Sequence, residues 1–398
     1  MDVKRERLRL DQLIFLLGVF AKQFYILPSG SLQVGDFLML LGSLLLIINK
    51  NKGRIVVRKQ ECFFLIYIVF VAVINLIHYS IDKTQNYINS IIFYGFNAII
   101  IFVFAFYINI DENDKPFLES LLKVEKLSLI TQAVLLITNT GRWYARTRYM
   151  GSFNDPNQYA VFILITLFFT YLIGTLLNKR RAMWVIIGSV LLMFSSSAGN
   201  FAGLFIFLFS MMLINLFETK DKRFIIWMIL LVVSAALFIM IYEGLIPLPR
   251  VITESGMYSR VFSKIDKVMG DNNDGSLLSD RGWSRIRLYP EYFLYGAGEG
   301  YHQRFNTTQE IHSSIIGPLF YYGFVPCFFL FMWIRGKINK IRTDILCVYF
   351  GLFAESLFLA NTRQPMFWML IVIAGSRLAK KDSSYSGLEQ QVLASESR

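Results

Sequence analysis

The sequence predicts an all-α polytopic membrane protein with about twelve transmembrane helices and one large loop facing outward. Three observations predict it. Of 398 residues, 55% are hydrophobic and 16% aromatic while only 17% are charged. The mean hydropathy is +0.48, outside the soluble globular range. The apolar residues fall in runs of spanning length, and the basic loops between them segregate to one side when those runs are alternated.

A spanning helix needs roughly 20 mostly apolar residues. In chain order the runs that qualify are 10–28, 31–49, 61–79, 87–109, 124–140, 157–177, 183–197, 200–217, 224–242, 313–334, 345–361 and 365–379. Only Ala198 and Gly199 separate the seventh and eighth, just after Ser195, Ser196 and Ser197. Single charges float within these runs: Lys22 and Asp36 lie toward outer ends, and only Glu355 is expected near a midplane.

Charge sets the topology. With Lys4, Arg5, Arg7 and Arg9 in the cytoplasm, strict alternation brings the basic loops 50–59, 179–181, 220–223 and 335–342 to the same side. Arg377, Lys380 and Lys381 join them. This is the positive-inside pattern of a multi-pass bacterial inner-membrane protein, with both termini cytoplasmic. The net charge of +12 is explained by that asymmetry and does not point to nucleic acid. The organisation is then nine helices with short loops over 1–242, an outward loop over 243–312, three helices over 313–381, and a disordered cytoplasmic tail over 382–398. Met1 to Asp11 is charged and lacks a small-residue cleavage site, so no removable signal peptide is expected. Cys62, Cys327 and Cys347 sit in apolar runs with neither disulfide nor zinc spacing.

The outward loops hold the residues of chemical interest. Arg142, Arg146 and Arg148 lie in the 141–156 loop, and Arg281, Arg285 and Arg287 in the large one, although the charge rule expects few arginines there. Each can contact lipid headgroups or solvent. A cluster can instead hold phosphate, because guanidinium binds phosphate oxygens bidentately and stays charged. Residues 279–288 predict a short helix with Ser279 as N-cap and Pro290 ending it, placing Arg281 and Arg285 on one face. Gly296, Gly298 and Gly300 predict a tight turn close to something bulky. Residues 258–268 have the spacing of an amphipathic helix, on the outer leaflet or over the loop's own small core. Residues 271–275 read as a turn whose carboxylates are too few for a calcium loop, so no metal is assigned.

In the 141–156 loop, Asn154 or Asp155 before Pro156 predicts a helix start, with Asn157 beside Arg148. Further on, His312 stands where the large loop re-enters the membrane. It can accept a proton, donate to a phosphate or cap the helix. His78 and His302 are left unassigned.

Three motifs resemble those of the O-antigen ligase and polymerase superfamily of bacterial envelope glycosyltransferases. The first is Arg148-x-x-Gly151-x-Phe153-x-x-Pro156-Asn157-x-x-Ala160. The second is Ser279-x-Arg281-x-Trp283 leading to Gly296-x-Gly298. The third is His312-Ser313 followed, after nine residues, by Gly323, similar to the H-[NSQ]-x9-G of the ligases. The resemblance covers roughly 120–335. It departs at Ala198, where many members carry an arginine after serine.

The resemblance implies a GT-C-like fold and glycan transfer from an undecaprenyl-pyrophosphate-linked donor without metal, cofactor or nucleotide sugar. Arg281 and His312 would be catalytic. Arg142, Arg148, Asn157, Trp283, Arg285 and Arg287 would bind pyrophosphate or glycan. His312 would activate the acceptor hydroxyl or donate to the pyrophosphate. The leading expectation is a polymerase joining repeat units into O-antigen or capsular polysaccharide. The runner-up is the ligase of lipopolysaccharide biosynthesis, which moves finished glycan onto lipid A-core. Membrane lipids, a chain-length regulator and a flippase are the candidate partners. A lipid-linked-oligosaccharide flippase is the competitor of another class; it would need ionisable residues along a midplane path.

Overall fold

A computed structural model describes residues 8–27, 32–49, 59–108, 114–219, 282–306 and 310–380. The expected span 224–242, the segments 258–268 and 271–275, Arg281 and the tail 382–398 lie outside the described residues.

The described chain is mostly helical. Antiparallel helices α1 (Leu10–Ala21) and α2 (Val34–Asn49) are followed by the hairpin of α3 (Lys59–Asp82) and α4 (Asn86–Tyr107), then α5 (Asp114–Ile137). A two-stranded hairpin, β1 (Arg142–Tyr144) with β2 (Arg148–Gly151), precedes α6 (Pro156–Leu176), α7 (Ala182–Met193) and α8 (Ala198–Thr219). Beyond the undescribed segment come two short helices, α9 (Ser284–Leu288) and α10 (Tyr292–Tyr295). The chain then returns to the bundle with α11 (Ile316–Tyr322), α12 (Phe324–Ile338), α13 (Leu346–Phe358) and α14 (Pro365–Ala374).

Three described helices are long and apolar enough to cross a membrane: Gln60–Asp82, Asn86–Tyr107 and Pro156–Leu176. Others, among them α1, α7 and α14, are apolar but shorter. Their packing is that of a membrane-embedded protein. Large apolar side chains face outward at helical intervals: Leu13 and Leu17 on α1, Val69, Val73 and Leu76 on α3, Phe324, Phe328 and Phe331 on α12. A soluble protein rarely exposes such continuous apolar stripes. The centre is α6, whose apolar stretch is entirely buried, with α14 buried along its whole length beside it. Small residues let neighbouring backbones meet: a Cβ on Gly35 would stand 2.6 Å from the Gly18 carbonyl oxygen.

Contacts sort the loops into two ends. At one end Tyr107 donates to Asp11 (3.0 Å), Lys179 pairs with Glu119 (3.4 Å), and Tyr171 donates to the Asp344 carbonyl (3.4 Å). The Arg342 amide donates to the Ala379 carbonyl (2.9 Å), and Lys337 pairs with Glu61. All the described basic loops gather there. The hairpin, the 282–312 segment and the 359–364 connection gather at the other, and every described candidate site residue lies in that second group.

Four expectations need correction. The helix expected over 124–140 starts at Asp114, because Phe117, Leu118, Leu121 and Leu122 are buried while Lys115, Glu119 and Lys123 dilute the apolar signal. The outward loop 141–156 is not wholly irregular: Trp143 and Tyr149 pair across a hairpin whose turn holds Ala145 and Arg146 at φ of 49° and 56°. Glu355 lies in the last turn of α13, bonded by Asn361, and so belongs to the site end. The buried mid-helix carboxylate is Glu125 on α5.

The run 313–334 is not one helix. It breaks at Gly323, whose φ of 79° and ψ of 178° are open only to glycine. Pro326 in the next turn removes an amide donor. The carbonyls freed before the break are taken by the Ala297 amide on Phe320 (3.0 Å) and the Gly298 amide on Tyr321 (2.7 Å). Backbone irregularity at membrane depth needs this kind of internal satisfaction. Gly323→Ala should therefore cost about 1–3 kcal/mol from backbone strain alone, and its Cβ would stand 2.8 Å from the Leu294 carbonyl oxygen. Gly95→Ala is the control, since nothing lies within 4 Å of that position. Thermal melts in detergent should show a drop for the first substitution alone.

Candidate functional site

The first cluster forms where β2 meets the start of α6. Asp155 caps that helix, its Oδ1 accepting the amides of Asn157 (2.7 Å) and Gln158 (3.1 Å), with Pro156 in the first position. The cap turns Asn157 toward Arg148. Arg148, buried on β2, donates from Nη2 to Asn157 Oδ1 (2.8 Å) and from Nε to the Ser195 carbonyl (2.9 Å). Ser197 Oγ also donates to Asn157 Oδ1 (3.2 Å), and Asn200 donates to Ser197 (2.9 Å). Ser195 to Ser197 form the break between α7 and α8, just before Ala198. A guanidinium does reach this break, supplied by β2 instead of by the position Ala198 occupies.

The second cluster joins the end of the large loop to the bundle. Arg363, in the connection between α13 and α14, donates from Nε and Nη2 to Glu299 Oε1 (3.0 and 2.7 Å). Its Nη1 and Nη2 donate to Glu310 Oε1, both at 3.1 Å. Tyr322 donates to the other oxygen of Glu299 (2.5 Å). Glu299 is also held through its backbone, its amide donating to Asn75 Oδ1 (2.8 Å) and its carbonyl accepting from Ser90 (3.0 Å). Arg285, 2% exposed, donates to His302 Nδ1 (3.3 Å), so His302 Nε2 carries the proton facing Glu310 Oε1 (3.5 Å).

A parallel arrangement fixes the glycine turn. His78 Nε2 donates to the Gly296 carbonyl (3.0 Å), while Arg304 donates to His78 Nδ1 (3.1 Å) and lies 3.4 Å from Asp82. A Cβ on Gly298 would stand 2.8 Å from His78 Cδ2. The bulky neighbours expected of the glycine run are therefore His78 and Tyr87 of α3 and α4.

Burial alone would raise the Glu310 carboxyl. The His302 hydrogen bond and the Arg363 charge outweigh it and lower the group from 4.5 to about 2. A depressed carboxyl contributes stability that is fully present above the unfolded value and is lost as pH falls through the folded one. Melting temperature should accordingly drop between about pH 4.5 and 2, and Glu310→Gln should flatten that part of the profile. Burial weakens the charge on Arg285, lowering its pKa, whereas Glu299 and Glu310 raise that of Arg363 despite its burial.

Between the end of α1, the first turns of α6 and the 360–366 segment lies a cavity of about 400 Å³. Lys22, Gln158, Asn361, Arg363 and Gln364 form its polar wall. A smaller void of about 20 Å³ adjoins Glu299, Glu310, Ser313 and Arg363. Lys22 is tied to Asp36 at 2.5 Å, both buried.

No protein-family model and no curated protein matches the chain. The family resemblance rests on the three short motifs alone.

The structure brings Arg148 and Asn157 into direct contact and turns Arg285 inward. Arg287 faces outward and Trp283 is half-buried. Arg142 is exposed on the hairpin, donating to Asn154 Oδ1 (2.5 Å). His312 is exposed at the start of the return into the bundle, two residues past Glu310. It is not needed as a cap, because Ser313 Oγ accepts the amides of Ile315 and Ile316 (3.3 and 3.1 Å). Sequence reasoning missed Arg363, Glu299, Glu310 and His302. Arg363 was within reach: alternation places 362–364 on the same side as the other anomalous arginines. The two glutamates carried no signal, since their partner is distant in the chain.

Proposed function

We propose that this protein is a metal-independent glycosyltransferase of the bacterial cytoplasmic membrane. Acting as a polymerase, it joins undecaprenyl-pyrophosphate-linked repeat units on the outer face. The observation that carries this reading is the placing of Arg148, Arg285 and Arg363, from three separate segments, at the end opposite the basic loops, where Arg363 lines a cavity. The positive-inside rule makes that end the outer one. The about twelve spans, a GT-C-like arrangement and cytoplasmic termini belong to the same reading.

In such a transfer the acceptor hydroxyl attacks the anomeric carbon as the pyrophosphate leaves, and negative charge grows on phosphate oxygens. Fixed guanidinium groups in a partly dry cleft stabilise that charge. Asn157 and the Ser195 carbonyl orient the Arg148 guanidinium. His312, exposed at the rim, takes the hydroxyl proton or contacts the pyrophosphate. The His312-Ser313 start, with the helix broken ten residues later at Gly323, favours the ligase as second reading.

The test is elongation of a single lipid-linked repeat unit by purified protein in nanodiscs, without lipid A-core. A product ladder, lost in His312→Ala, is expected. Product only after lipid A-core is added would make it the ligase. Translocation of the lipid-linked unit by an Arg281→Ala/His312→Ala protein would replace both with a flippase, for which buried Glu125 would be the first residue to test.

A further inference from the structure

The cavity of about 400 Å³ is bordered by two cations, which would suit an anion if their charges were available. They are already matched. Lys22 Nζ is bonded to Asp36 (2.5 Å), itself anchored by the Gln33 amide (2.7 Å). Arg363 commits four N–H···O contacts to Glu299 and Glu310, out of the five N–H bonds of a guanidinium. With Arg285 reaching Glu310 through His302, the two carboxylates and the cations beside the cavity are already matched to one another. A phosphate or carboxylate entering it would meet Glu310 and Glu299 behind a cation that cannot turn away from them.

The rest of the wall has different chemistry. Gln158 and Gln364 place side-chain amides, which carry both donors and acceptors, in the wall, while the Asn361 amide nitrogen is already given to Glu355. Tyr25 and Phe153, with ring centres 4.7 Å apart, form an aromatic corner. Polarity is graded along α6: Gln158 is in its first turn, and Val161, Phe162 and Ile165 carry the wall about 10 Å deeper. Met366 closes the apolar part.

We propose that this cavity is a subsite for an uncharged, hydroxyl-rich sugar ring, and that it rejects sugars bearing a carboxylate or phosphate. The amides engage hydroxyl or acetamido groups, the aromatic corner takes the apolar ring face, and the deeper wall takes an apolar substituent or linker. Charge on the leaving pyrophosphate falls to the Arg148 side of the site. This rests on the glycosyltransferase reading and adds to it which kind of glycosyl unit the enzyme handles.

The test measures binding without turnover. Octyl β-glucoside, octyl β-glucuronide, octyl phosphate and inorganic pyrophosphate are titrated into detergent-free nanodiscs holding the full chain, and bound probe is counted by native mass spectrometry. The glucoside should bind at least about 10-fold more tightly than the charged probes, a gap of about 1.4 kcal/mol. Val161→Trp, which fills the deeper part, should abolish glucoside binding. Gln158→Ala/Gln364→Ala should weaken it about 10-fold, as loss of two neutral hydrogen bonds predicts. Should Val161→Trp fail to reach the membrane, the glutamine pair carries the test. Equal or tighter binding of octyl phosphate or pyrophosphate at this cavity would overturn the proposal. So would glucoside binding unchanged in the variants, which would assign it to the lipid-facing surface. The elongation assay on wild-type protein is scored separately: glucoside selectivity without elongation sinks the polymerase reading and spares the subsite, and elongation without selectivity does the reverse.

Discussion

Replacing Arg363 with alanine is expected to destabilise the protein and to stop glycan elongation. The substitution leaves Glu299 and Glu310 facing each other without their shared cation, and Glu299 is 6% exposed. Breaking a fully buried pair costs about 3–5 kcal/mol. Here the cost should be nearer 2–3 kcal/mol, because Glu310 is 38% exposed and water can screen it. The functional loss should be larger. Arg363 ties the 299–310 segment to the α13–α14 connection, and His312 follows two residues later. A shift of about 1 Å in a catalytic group can cost about 10²-fold in rate. Arg363→Lys should recover little of either property, since one ammonium cannot span both carboxylates in the fork geometry. Arg363→Ala/Glu310→Gln should restore part of the melting temperature by removing the repulsion. A single Arg363→Ala protein with normal melting and normal elongation would remove this cluster from the site.

Arg148→Ala should separate chemistry from stability in the opposite sense. It donates to an amide side chain and to a backbone carbonyl. Two hydrogen bonds from a charged donor contribute about 1.5–3 kcal/mol each at most, and Ser197 still donates to Asn157. Elongation, by contrast, should fall about 10²–10³-fold, the usual effect of removing one preorganised donor from developing negative charge. Arg148→Lys should rescue poorly, because an ammonium cannot reach Asn157 Oδ1 and the Ser195 carbonyl together from one fixed plane. Elongation within a few-fold of wild type, with the protein folded, would exclude Arg148 as a pyrophosphate ligand.

Much of this architecture was legible in the residues. Asp155, Pro156 and Asn157 announce the start of α6, and the cap forms as expected. Gly296, Gly298 and Gly300 announce a turn against bulky groups, and all three hold positive φ. The break between α7 and α8 falls on Ser195 to Ser197, a few residues before the Ala198-Gly199 separation expected. These signals are local: a cap, a left-handed backbone and a helix stop are each decided within a few residues. The break at Gly323 was less legible. Hydropathy runs straight through it, and what makes it tolerable is a pair of amides from 297 and 298.

By itself the sequence determined the membrane class, the approximate helix order, the gathering of basic loops at one end and the start of α6 with Asn157 beside Arg148. Hydropathy, charge sidedness and capping are read over short windows and need no knowledge of neighbours. Only the tertiary structure decided which charges neutralise one another. Lys22 at the end of α1 meets Asp36 at the start of α2, and Arg363 meets carboxylates 64 and 53 residues away. A charge in the sequence looks equally available wherever it stands. Whether it is free to hold a phosphate or already committed to a carboxylate depends on packing over long separations.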